Sequence, residues 1–186
     1  MTGLPLATLR TRLDWIRAAP ADDGRLELIV RRPAVEQREL LELAVLDERE
    51  GLLGDNWRER PSSESADGGP SPDAQVTVIN ARAAAAVTGV DDRERWALAG
   101  DQLYVDLDIG EANLPPGSRR RIGGAVLEVT ALPHTGCGKF SRRFRVDALK
   151  FVNSADGRAL RLRGLNARVL EPGPIAIGDA IRKLET

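Results

Sequence analysis

A β-rich α+β fold, with a barrel as its architecture, is predicted for this chain of 186 residues. Strand-like runs are short, at residues 26–30, 75–79, 103–107, 119–122, 125–132 and 165–170, and Gly/Pro turns separate them. Helical periodicity is confined to a few short stretches between them.

Leu6, Leu9, Leu13 and Ile16 fall at helical spacing and Pro20 ends the run, which predicts one amphipathic helix over 6–19. Residues 1–24 accordingly read as a helical extension, and 25–186 as the barrel domain. Residues 40–46 continue the strand pattern, although their Leu/Glu content also suits a helix. A glycine-rich corner follows at 51–57. The stretch RERPSSESADGGPSPDA, 58–74, holds no large aliphatic residue. It cannot bury enough apolar surface to offset ordering, so a mobile loop is expected there, either an exposed insertion or a lid. Val76, Val78 and Ile79 supply the β-branched side chains of the next strand. Asn80 is placed to cap an Ala-rich helix over 81–88, and a second short helix fits 92–98. Residues 146–151 read as a short helix, and 175–177 and 180–182 as closing strands. Gly54-Asp55, Gly100-Asp101 and Gly178-Asp179 precede strand-like runs, as turn chemistry requires. No period of 20–50 residues repeats, which excludes a solenoid.

The scarce residues exclude most familiar chemistries. One cysteine rules out an internal disulfide framework, a Cys-based zinc finger and a self-contained iron–sulfur site. One histidine rules out three-His zinc sites and HExxH chemistry. No phosphate loop of the G-x-x-x-x-G-K-[ST] type is present, and no G-x-G-x-x-G follows an apolar strand. No apolar run approaches the ~18 residues of a membrane span, and arginines interrupt the N-terminal segment where a signal peptide would be apolar. A cytoplasmic protein is expected.

The cysteine and the histidine lie three residues apart, in Leu132-Pro133-His134-Thr135-Gly136-Cys137-Gly138-Lys139-Phe140. A lone cysteine can be an inert buried side chain. Here glycines flank it, the segment reads as a loop after a strand, and Lys139, Arg142, Arg143 and Arg145 follow. Positive charge favours thiolate, the form that attacks electrophiles, accepts sulfur as persulfide or binds a soft metal. His134 is either its acid–base partner or a hydrogen-bonded structural histidine. The closeness of Cys and His in sequence speaks against a papain-like protease.

Net charge is −1, but residues 117–168 carry 12 Lys/Arg against 3 Asp/Glu, and the rest of the chain 15 against 25. The basic third holds Cys137 and points to an anionic small molecule or cofactor as partner. Arg142, Arg143, Arg161, Arg163 and Arg168 are candidates for oxyanion contacts, or members of a solvated face. Aromatic residues make up 4% of the chain and none interleaves with the arginines, so nucleic acid is not expected.

Taken in order, Arg32-Pro33, residues 51–57, Gly100-Asp101, Glu111 to Leu114, residues 133–140 and Gly178-Asp179 resemble the MOSC domain. That domain closes molybdenum cofactor sulfurases and also occurs alone in bacterial proteins. The resemblance spans about residues 25–184 and implies a mixed β-barrel of the MOSC type. It also implies a link to the molybdenum cofactor (molybdopterin) or to sulfur transfer, with pyridoxal phosphate binding as a family-level association. Relatives include cofactor sulfurases, reductases of N-hydroxylated compounds and 6-hydroxylaminopurine-resistance proteins. On that reading Cys137 ligates molybdenum or carries persulfide, with His134 beside it. Lys139, Arg142, Arg143, Asn113, Arg163 and Arg168 would hold the anionic cofactor. This sequence departs from the family where 58–74 replaces a His-Gly-Gly segment, where Ala112 interrupts Glu-Asn-Leu, and where Gly136 replaces the proline before the cysteine. The chain has no aminotransferase-like desulfurase domain and no electron-transfer segment. A partner is therefore expected, either a cysteine desulfurase or an electron-donating reductase. The alternatives are a persulfide carrier without bound metal, and a non-catalytic anion-binding domain with a buried cysteine.

Overall fold

Seven strands close into a mixed barrel. The structure is a computed structural model that describes residues 3–61 and 68–184. In chain order the elements are α1 (Leu6–Arg10), α2 (Leu13–Arg17), β1 (Gly24–Arg31), β2 (Glu39–Leu41), β3 (Leu43–Asp47), β4 (Gly51–Leu52) and β5 (Val76–Asn80). They continue with α3 (Ala81–Thr88), α4 (Arg93–Ala97), β6 (Leu103–Asp106), β7 (Arg119–Ile122) and β8 (Ala125–Val129). The last are α5 (Gly138–Val152), α6 (Ala155–Ala159), β9 (Leu165–Glu171), β10 (Gly173–Ala176) and β11 (Ala180–Lys183). Around the barrel the order is β11-β7-β8-β9-β5-β6-β1, and β1 returns to β11. The β5–β6 pair is parallel and the other pairs are antiparallel. The two residues at the start of β1, Gly24 and Arg25, make the closing contact with Ile181 and Ala180. β2 extends the other end of β1, and β10, β3 and β4 form a small separate sheet.

The sequence of β1 shows how one strand serves two cores. Its pairing with β6 shifts between Leu26 and Leu28, an irregularity that inserts one residue. Leu26 and Ile29 therefore point into the barrel with Val78, Val105, Leu127 and Ile181, while Leu28 and Val30 join an outer core. That outer core is where the helices lie. Tyr104 and Ile79 meet the alanine face of α3, Trp96 of α4, and Phe140, Phe144 and Phe151 of α5. Leu9 of α1 and Ile16 of α2 complete it, so the first two helices share a core with the barrel's outer surface.

Asn80 caps α3 as its sequence predicts, with its side-chain oxygen accepting from the Arg82 and Ala83 amides. Three expectations are corrected and one helix, α6, is added. The predicted helix over 6–19 is two short helices, because the chain breaks at Thr11 and Arg12. The predicted strand over 40–46 divides into β2 and β3, which belong to different sheets. The helix read at 146–151 begins at Gly138, and Arg145, at φ 73° and ψ 171°, interrupts it. Helix α6 carries an apolar content too low to register as a period. The loop read at 58–74 lies in part, at 62–67, outside the described residues. Its flanks are ordered as single 3-10 turns at Asn56–Glu59 and Pro72–Ala74. The second is tied down by Thr130, whose hydroxyl donates to the Asp73 carbonyl at 2.6 Å. Among the described residues no helix is long and apolar enough to cross a membrane.

Candidate functional site

Beyond β8 the chain runs through residues 130–136 to Cys137, which stands at the N-cap of α5. The Asn153 side chain fastens this loop to the far end of the same helix. Its Oδ1 accepts from the Gly136 N–H at 3.0 Å and its Nδ2 donates to the Gly136 carbonyl at 3.1 Å. A Cβ at Gly136 would meet side-chain methyls of Leu149 at 2.8 Å and Val152 at 2.9 Å, so a larger residue there would have to displace them. The Cys137 side chain is exposed. Partial burial pushes its thiol up. Backbone N–H groups of Phe140 and Lys139, with the charges of Arg163 and Lys139, outweigh that and leave it below the ordinary thiol value.

Cys137 opens into a cavity of about 460 Å³ whose cationic wall is Arg38, Arg60, Lys139, Arg143 and Arg163. A second cavity of about 310 Å³ shares Arg60, Pro61, Gly100 and Arg163 with it and adds Arg32 and His134.

Three of these arginines are held by one short piece of backbone. Arg143 Nη1 donates to the Leu98 carbonyl at 3.0 Å, Arg163 Nη2 to the Ala99 carbonyl at 3.0 Å, and Arg32 Nη1 to the Gly100 carbonyl at 2.8 Å. These successive carbonyls follow α4 and have no helical partner, so guanidinium groups are natural acceptor-side caps for them. Each arginine also has a carboxylate. Asp55 grips Arg32 with both oxygens at 2.8 Å, Asp101 accepts from Arg163 at 2.7 Å, and Glu36 accepts from Arg143 at 2.5 Å. Gly100 adopts φ 92°, which turns the chain so that the three carbonyls fan toward the arginines.

Arg38 and Arg60 are different, for among the described residues neither has a carboxylate partner. Arg38 Nη1 reaches only the neighbouring Gln37 carbonyl, at 2.5 Å, and its buried Nε has no partner. Arg60 Nε donates to Asn56 Oδ1 at 2.9 Å. Burial pushes the Arg60 guanidinium down to about 10, and the charge of Arg32 adds to it, with Asp55 opposing. Burial and the charges of Arg143 and Arg32 likewise lower Arg38. The cluster thus holds more positive charge than its carboxylates neutralise, and an anion in the cavity would relieve it.

His134 sits beside the pair Asp101–Arg163, with Nδ1 3.4 Å from Asp101 Oδ1. Burial and the nearby charges of Arg163 and Arg32 hold its pKa well below 6.5, so the ring is neutral. Gly164, at φ 106°, closes this corner. A Cβ there would lie 2.6 Å from the Val78 carbonyl oxygen, 3.1 Å from Asp101 Oδ1 and 3.3 Å from His134 Nδ1.

Of the residues singled out by sequence, Cys137, Lys139, Arg143 and Arg163 come together in one cavity, and His134 lines its neighbour. The structure does not bring Arg142, Asn113, Arg161 or Arg168 there, and Arg161 lines a separate cavity. Arg142 is exposed on α5 and lines neither cavity. Asn113 Nδ2 holds the Ala21 and Asp108 carbonyls at 2.8 and 2.7 Å, a loop brace. Arg168 pairs with Glu128 across β8 and β9, its Nε 3.0 Å from Oε1. Arg32, Arg38, Arg60, Asp55 and Asp101 went unrecognised as site residues. The Gly-Asp pairs and Arg32-Pro33 mark three of them, but Arg38 and Arg60 lie in the acidic part of the chain, where a segment-wise charge tally hides them. Among the described residues no three His, Cys, Asp or Glu side chains cluster as a metal site, so a metal at Cys137 would have a single ligand from this set.

The model of the MOSC domain matches residues 65–182, more than half of the sequence. The chain belongs to the MOSC domain family. That family is associated with molybdenum cofactor sulfurase-like proteins. A search of curated proteins finds no match. Among solved structures, this MOSC protein is similar to YuaD from Bacillus subtilis, at 16% identity and a TM-score of 0.65, over 87% of this chain and 97% of that one. It is also similar to YiiM from Escherichia coli, at 18% identity and a TM-score of 0.56, over 87% of this chain and 70% of that one. YiiM from Geobacillus stearothermophilus follows at 14% identity and a TM-score of 0.53, over 89% and 74%. At these identities the likeness establishes the MOSC barrel and leaves the chemistry to the residues of the site.

Proposed function

We propose that the Cys137 cavity binds a molybdopterin-type cofactor, with Cys137 as the protein's thiolate ligand to molybdenum. The observation that carries this reading is an exposed cysteine at a helix N-terminus, facing two arginines that lack carboxylates. The residues fit the group. Buried Arg38 Nε is an orphan donor, the two adjoining cavities have the volume of a small-molecule site, and a thiolate is a soft ligand. Arg38, Arg60 and Lys139 would take the negative charge of the cofactor, and Arg32, Arg143 and Arg163, already anchored, would shape the cradle around it. When bound, molybdenum supplies two-electron oxygen-atom chemistry, and N-hydroxylated compounds are the substrate class the family supports. His134 stays neutral at this site, so it lines the adjoining cavity without adding a charge to the cationic cradle. An electron-donating reductase is the partner this reading requires.

The second reading is a persulfide carrier. The exposure of Cys137 favours it, because a carrier thiol must be reached by a donor desulfurase and by an acceptor. The same exposure speaks against an anion-binding domain with a buried, inert cysteine.

The test is elemental analysis of wild type, Cys137→Ala and Arg60→Ala from a host that makes the cofactor. Near-stoichiometric molybdenum that is lost in Cys137→Ala and reduced in Arg60→Ala is expected. Metal-free wild type that acquires sulfane sulfur on Cys137 from a cysteine desulfurase would replace the first reading by the second.

A further inference from the structure

On the other side of His134 and Arg163 lies a third chamber, of about 590 Å³, which Cys137 does not line. It is bounded by the end of β8, the loop that follows, the end of α5 and the segment between α6 and β9. Its lining combines apolar side chains, Leu132, Pro133, Val152 and Leu165, with the charged Arg158, Arg161 and Glu111. Thr135 is exposed, and Thr130 and Asn153, also in the lining, spend their polar atoms on the Asp73 carbonyl and on Gly136.

The charges of this chamber do not balance. Arg163 is already neutralised by Asp101, and His134 is uncharged. That leaves two guanidinium groups against the one carboxylate of Glu111, a surplus of one positive charge. The Arg158 side chain is exposed and makes no hydrogen bond or ion pair among the described residues. Arg161 is half-buried, and burial lowers its pKa, with Glu111 opposing. Its Nη1 donates to the Leu114 carbonyl at 2.6 Å, which fixes the side chain at the chamber wall. Its backbone stands at φ 48°, a conformation that a non-glycine residue adopts at a cost.

We propose that this chamber binds an apolar monocarboxylate, with its carboxylate on Arg158 and Arg161 and its carbon body against Leu132, Pro133 and Val152. The surplus of one charge selects a monoanion over a phosphate ester, and the apolar wall selects a body without further polar groups. The site is separate from the Cys137 cavity and is independent of whether Cys137 holds a metal or carries sulfur. Because Arg163 and His134 line this chamber and the cavity that adjoins the Cys137 pocket, its occupant would lie one side chain away from the proposed cofactor.

The full chain, labelled on leucine and valine methyl groups, is titrated with benzoate, benzamide and benzylamine and followed by NMR. Benzoate is expected to bind about tenfold more tightly than neutral benzamide, the difference one charge-assisted contact makes, and benzylamine is expected not to bind. The methyl signals of Leu132, Val152 and Leu165 should move first. Arg161 also ties a backbone carbonyl, so the decisive variant is Arg158→Ala, in which benzoate should fall to the affinity of benzamide while benzamide is unchanged. The proposal is overturned if neither probe binds at millimolar concentration, if benzamide matches benzoate, if benzoate is indifferent to Arg158→Ala, or if the signals that move belong to Val35 in the Cys137 cavity. Molybdenum content, measured on the same variant, should be that of wild type, which keeps this test apart from that of the cofactor reading.

Discussion

Asp101 and Arg163 form an ion pair whose carboxylate is wholly buried, 2.7 Å from Nη1, in the wall between the Cys137 cavity and its neighbours. Burial pushes the Asp101 carboxyl up, and the guanidinium of Arg163 holds it down. Removing one partner of such a pair leaves an uncompensated charge in the interior. Arg163→Ala is expected to cost about 3–5 kcal/mol in denaturant unfolding. Arg163→Met combined with Asp101→Leu should cost distinctly less, because both charges leave together. Equal losses in the two proteins would show that the pair is not the source of the cost.

Acid should destabilise the protein through its one histidine. The folded-state pKa of His134 lies well below 6.5, its ordinary and unfolded value. Neutral His134 therefore favours the folded state above that pH, and this stability is lost as the pH falls below it, because the unfolded chain then takes up a proton that the folded one refuses. The slope approaches one proton, about 1.4 kcal/mol per pH unit. Urea midpoints should drop between pH 7.5 and 5.5 in wild type and stay nearly level in His134→Gln.

Arg60 has opposite meanings for stability and for binding. In the free protein it is a desolvated cation among like charges, pushed down to about 10. Arg60→Ala should leave the melting temperature unchanged or raise it slightly. Added pyrophosphate should stabilise wild type more than Arg60→Ala, since a ligand stabilises only in proportion to its affinity. A loss of several degrees in unliganded Arg60→Ala would assign the residue to the scaffold instead.

Two glycines near the site should separate by their surroundings. Gly164→Ala combines a φ of 106° with a Cβ 2.6 Å from a backbone oxygen and should cost more than about 2 kcal/mol. Gly138→Ala meets nothing within 4 Å at the first position of α5 and should be neutral within about 0.5 kcal/mol. Thermal unfolding of the two variants decides it.

The barrel was largely legible because β-branched alternation and Gly/Pro turns are local signals, as in β5 and in the Asn80 cap that follows it. That Cys137, Lys139, Arg143 and Arg163 belong together was legible because they share a basic stretch, and they line one cavity. Arg38 and Arg60 were not legible, since their role depends on where β1 and the segment after β4 arrive in space. Arg168 shows the converse. It lies in the same basic stretch, but the alternation of β9 turns it to the outer face, against Glu128. The charge of a segment says nothing about which side of a strand each member occupies. The division of the N-terminal helix was hidden as well, since Leu9 and Ile16 are two turns apart and remain on one face across the break.

The three arginines on the carbonyls of Leu98, Ala99 and Gly100 come from the residue that follows β1, from α5 and from the segment before β9. They therefore enter the ribosomal tunnel at widely different times. A nascent chain that has delivered β1 and α4 has an acceptor and one donor but no cavity. The cradle comes into being only when the segment before β9, the penultimate barrel strand, is added. An anion that needs all three arginines at once is therefore held only by a chain folded through the segment before β9.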